Sequence, residues 1–150
     1  MERTVLMRPT RRRLLAALGA ALLAPWARAE PQLVIVAAAH SPIRSLSAIE
    51  IRRLYLGAPV TVDGREVEPL RNLIDPMVQE VFLQRVLFMS LHAYERQAAA
   101  RVFRTGGNPL RRFTDLPSLL AALAANPLSV TYMPVEQAAR LPELKIITPL

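Results

Sequence analysis

The hydrophobic positions change period several times along this chain, and each change marks an element. From Leu33 to Ala39 the run LVIVAAA is continuously apolar and β-branched in its first half. That pattern predicts a central strand buried on both faces of a parallel or mixed sheet. Ser47 is followed three residues later by Glu50, a capping-box spacing, and Ala48, Ile51, Leu54 and Tyr55 recur at helical intervals up to Gly57. A helix over about 48–56 follows, with the glycine as its left-handed stop. Val60 to Val62 and Arg65 to Val67 flank Asp63-Gly64, the signature of a small hairpin with a type I′ turn.

Glu68 to Ile74 reads as a second strand that ends at Asp75-Pro76, where the aspartate caps and the proline takes the first position of a helix running to about Met89. Its apolar face is Val78, Val81, Phe82, Val86 and Met89. Ser90 caps a further helix from Leu91 to about Phe103, and Gly106-Gly107 breaks the chain. Thr114 or Asp115 starts a helix through Ala125. A strand over Leu128–Met133, a short helix over 135–140 and a last strand over 144–148 complete the order. Strands alternating with helices predict an α/β domain, with a mixed sheet of three to five strands and helices on both faces.

The first 29 residues stand apart. They hold six arginines against one glutamate, an apolar run from Leu14 to Ala24, and the small-x-small end Ala27-Arg28-Ala29. These are the three parts of an export signal, with cleavage expected before Glu30 and a single domain over residues 30–150. The stretch Thr10-Arg11-Arg12-Arg13-Leu14-Leu15 resembles a twin-arginine signal, and the general secretory route is the alternative. The apolar run is well short of the ~20 residues that span a bilayer, so no stable anchor remains after cleavage. Either route points to a bacterial periplasm.

Setting that segment aside changes the meaning of the net charge of +7, because residues 30–150 hold 13 bases and 11 acids. So small an excess gives no basic surface for nucleic acid. The chain has no cysteine, which excludes disulfides, thiol nucleophiles and cysteine zinc sites, and its two histidines, His40 and His92, make no metal site alone. No GxSxG elbow, HExxH or P-loop is present. The expectation is a protein that is not an enzyme and uses no cofactor.

Three stretches carry a resemblance. VFRTGGNPLRRF from Val102, NPLSVTYMP from Asn126 and SLSAIEIRRLYLG from Ser45 are similar, in order and spacing, to segments of small exported proteins grouped with phosphate ABC transporter substrate-binding proteins. The likeness spans about residues 33–148. It implies a periplasmic-binding-protein-like lobe, with phosphate or another small oxyanion as ligand and a membrane transporter or sensor as partner. The resemblance also implies that anions sit at helix starts. The matching start here, Arg71 to Pro76, keeps an arginine but adds the charge of Asp75 and loses a donor at Pro76.

The remaining anion candidates come from the residues themselves. Thr105, Gly106 and Gly107 with Arg111 and Arg112 offer turn amides and two guanidiniums. Arg71 at a strand end offers another cation, and Ser45 lies after the first strand, where open α/β sheets place ligands. Two functional classes stand open: a binder of a small oxyanion, and a one-lobe interaction module that kept the fold without the ligand.

Overall fold

A computed structural model describes residues 29–150. Residues 1–28, and with them nearly all of the expected export signal, lie outside the described residues. The strand β1 (Leu33–Ala38) lies at the heart of a four-stranded sheet ordered β4-β7-β1-β8, where β4 is Glu68–Pro69, β7 Ser129–Pro134 and β8 Leu144–Pro149. β1 runs antiparallel to both β7 and β8, while β4 and β7 are parallel, so the sheet is mixed. All six β1 residues are buried because each face is covered. Leu33, Ile35 and Ala37 enter a large core with Ile51, Leu54, Phe82 and Leu83; Val34 and Val36 meet Met133 and Ala138 on the other side.

Helix α1 (Ala48–Tyr55) begins at the expected capping box, Ser47 and Glu50 each bonding the other's backbone, and ends before Gly57, whose φ is 86°. Asp63 and Gly64 hold φ of 51° and 74° between β2 (Thr61–Val62) and β3 (Arg65–Glu66), as a type I′ turn requires. Asp75 caps α2 (Pro76–Phe82) through the Met77 amide. Ser90 caps α3 (Leu91–Thr105), Asp115 caps α4 (Leu116–Ala125), and α5 is Val135–Ala138.

Two stretches depart from the periodic reading. The strand expected over 68–74 is split: β4 pairs with β7, whereas β5 (Arg71–Asn72) pairs in parallel with β6 (Arg112–Phe113), a strand that the pattern did not predict. The helix expected to reach Met89 widens into a π-helical turn at Leu83–Leu87 and stops at Phe88, which is left-handed. Widening buries Leu83 and Leu87 and leaves Val86 and Met89 only half-buried at the edge of the core.

Polar groups close the seams between these short strands. Tyr55 donates to Leu70 O at 3.1 Å, Thr131 to Leu70 O at 3.0 Å and Tyr132 to Asn72 O at 3.0 Å, while the Asn72 amide donates to Tyr132 O at 3.0 Å. Tyr132 stacks on Phe82 with centroids 3.8 Å apart, and burial pushes the Tyr132 and Tyr55 hydroxyls well above the usual phenol range. Both are therefore neutral donors at all ordinary pH. Among the described residues, no helix is long and apolar enough to cross a membrane.

Candidate functional site

The parallel pairing of β5 with β6 makes Arg71 and Arg112 register partners. Like charges side by side on adjacent strands repel, so this arrangement needs a compensating anion. One is supplied within the chain: Glu95 on α3 accepts from Arg71 at 2.6 Å. Arg71 is 5% exposed, and its guanidinium lies over the Tyr94 ring at 4.8 Å from the centroid. The Tyr94 hydroxyl, raised by burial against the pull of Arg71 and Arg101, donates to Tyr55 O at 2.9 Å and so fixes the ring beneath the arginine. Apart from Gln79 Nε2, every fully buried side-chain nitrogen or oxygen among the described residues has a partner. Arg71 lines the groove beside it, and its side chain makes one hydrogen bond among the described residues, to Glu95.

That groove encloses about 430 Å³ between α3, β5, β6 and the loop that joins α3 to β6. Arg71, Arg101 and Arg112 supply its charge with Glu95, and Ala98, Ala99, Val102, Phe103, Pro109 and Leu110 supply most of its wall. Arg101 is placed by a glycine: its guanidinium occupies the space where a Cβ on Gly57 would stand. With three guanidiniums and one carboxylate, the groove carries two uncompensated positive charges.

The other residues singled out in the sequence are placed elsewhere. Gly106 is the left-handed cap of α3, with φ of 65° and its amide on Val102 O at 2.9 Å; the Gly107 amide goes to the Thr105 hydroxyl at 3.3 Å. The amides expected to form an anion nest are thus spent inside the turn, whose work is to bring β6 back beside β5. Arg111 turns away from Arg112, pairs with Glu68 at 3.3 Å and covers the Phe113 ring at 5.2 Å. Ser45 lines a separate depression with Ser41, Arg44, Asp63 and Lys145, in which Lys145 already donates to Ser41 O at 2.5 Å.

Sequence reasoning missed Tyr94, Glu95 and Arg101. The available signal was the spacing of Tyr94, Ala98 and Arg101 on one face of α3, with small residues at 98 and 99 leaving room above it.

No protein-family model matches the chain, and no curated protein matches it in sequence. Among solved structures, the fold is similar to an ABC-type phosphate transport receptor from Vibrio cholerae, with a TM-score of 0.57 and 11% identity over 80% of this chain and 49% of that one. The chain spans about half the length of the receptor it matches. At this identity the likeness is one of fold: a mixed α/β arrangement that in part resembles a periplasmic-binding-protein fold.

Proposed function

We propose that this chain is an exported, non-enzymatic binding protein for a small oxyanion such as phosphate, which it passes to a membrane transporter or reports to a sensor. The observation that carries the reading is the parallel register of Arg71 with Arg112, two cations for which Glu95 provides one carboxylate. An oxyanion bridging the two guanidiniums would supply the missing charge, and planar guanidiniums suit its oxygens. The fold's likeness to a phosphate transport receptor agrees with this chemistry. The Ser45 depression supports the reading less well, since Asp63 offsets one of its cations and Lys145 is engaged.

The groove is open to solvent, so a bound anion keeps much of its hydration, and the expected Kd for phosphate is about 0.1 to 1 mM. Calorimetric titration of the purified protein tests this, with Arg112→Ala expected to weaken binding by about five-fold or more. Micromolar binding by a monomer would require a more enclosed site than this groove.

Absence of binding by phosphate and by every other small anion at about 10 mM would favour the second reading, a one-lobe interaction module. That reading rests on a different surface: Ile49 and Phe88, 73% and 72% exposed, line an apolar groove with Leu150.

A further inference from the structure

We infer that the Arg71–Arg112 groove is built for an organic monoanion with an apolar body, a carboxylate carried on an aliphatic or aromatic chain, in preference to inorganic phosphate. The inference rests on the proposed anion-binding role of this groove and names the class of ligand. Its first ground is size. At about 430 Å³ the groove falls in the range of sites for small organic molecules, and a single tetrahedral anion would leave most of it filled with water.

The second ground is the chemistry of the wall. Beyond the charged end, the surface is Ala98, Ala99, Val102, Pro109 and Leu110, with Phe103 at 91% exposure beside it. Such a wall offers an inorganic ion no hydrogen bonds, yet it removes methylene or ring surface from water. The third ground is charge. Glu95 already pairs with Arg71, and Arg112 has no ion-pair partner among the described residues, so a carboxylate with its one negative charge and two oxygens can settle on Arg112 beside that pair. Cations at one end and an apolar trough along α3 therefore define an amphiphile with its head at β5 and β6 and its tail towards Val102.

The test is a titration series of the purified protein with acetate, butyrate, hexanoate and octanoate, set beside inorganic phosphate and neutral 1-octanol. Each methylene that enters the groove is expected to tighten binding by about three- to four-fold, until the trough is filled. Octanoate is expected to bind at least about ten-fold more tightly than phosphate. Ala98→Trp, which fills the trough from α3, is expected to abolish the dependence on chain length while the circular dichroism melt stays cooperative. Arg112→Gln is expected to weaken the whole carboxylate series by a similar factor. A flat series with phosphate bound as well as octanoate would overturn the inference and leave the anion-binding reading standing, and 1-octanol bound as tightly as octanoate would also overturn it. Failure of every anion at about 10 mM would overturn both.

Discussion

Phe88 ends the π-helical turn at φ of 57°, with its own amide and that of Met89 both returning to Leu83 O. This is the bond pattern of a helix closed by a left-handed residue, a position usually held by glycine because a Cβ there crowds the following carbonyl. A bulky aromatic at such a φ costs about 1 to 2 kcal/mol, and here the ring recovers little, since it is 72% exposed and its charged neighbour is Arg52 at 5.2 Å. Phe88→Gly is therefore expected to raise stability by about 0.5 to 1 kcal/mol, the relief of strain being offset in part by the freer unfolded chain. Chemical denaturation of the two proteins checks it, and a clear loss of stability would mean that the ring contributes more packing than its exposure indicates. At this scale, legibility follows how local the cause is. Asp63-Gly64 announced its turn because both residues tolerate positive φ, whereas Phe88 gave no sign, its conformation following from the burial of Leu83 and Leu87 in the turn it closes.

Short strands obey no periodicity that a sequence can display, and β4, β5 and β6 have two residues each. Among the side chains that tie them to their neighbours is Glu68. Its carboxylate accepts from the Ser129 hydroxyl at 2.8 Å and the Asn126 amide at 2.9 Å, and pairs with Arg111 at 3.3 Å, tying β4 to β7 and to the chain just before β6. Partial burial pushes the Glu68 carboxyl up, but these three donors outweigh it and leave the group below its ordinary value of 4.5. A lowered folded-state pKa means that the ionised form stabilises the fold; this contribution is complete above the unfolded-state value and disappears as pH falls through the folded one. Glu68→Gln is expected to cost about 1 kcal/mol at neutral pH, with the gap to the parent closing as pH drops below about 4.5. Denaturation midpoints at pH 7 and pH 3 measure both, and a gap that stayed constant would remove Glu68 from the acid response. The same knot explains why the candidate site was half legible. Adjacent arginines in an extended segment face opposite sides, so Arg111 goes to Glu68 while Arg112 joins Arg71, and only the pairing of segments 41 residues apart reveals which is which.

For the whole molecule, the proposed division between export signal and domain turns on where the described elements begin. Among the described residues the sheet begins at Leu33, and just ahead of it Gln32 O accepts the Val135 amide while the Glu30 carboxylate pairs with Arg85 at the surface. The α/β layering was legible because β1 is apolar at every position and α1 to α4 each start at a side-chain cap, while charge and composition set the first 29 residues apart as an expected export signal that lies almost wholly outside the described residues. Every strand and helix among the described residues lies C-terminal to Glu30. The protein recovered from the periplasm of a bacterial host is expected to have the mass of residues 30–150, with Glu30 at its N-terminus. Lysine keeps the charge of Arg11, Arg12 and Arg13 but lacks the planar, forked donor set of guanidinium, so replacing all three is expected to stop export if a twin-arginine receptor reads them. Precursor accumulating in the cytoplasm, with the wild-type domain's resistance to protease, is the expected result. Undiminished export of the lysine variant would assign the chain to the general secretory route, and periplasmic protein that retained Met1 would overturn the signal-peptide reading.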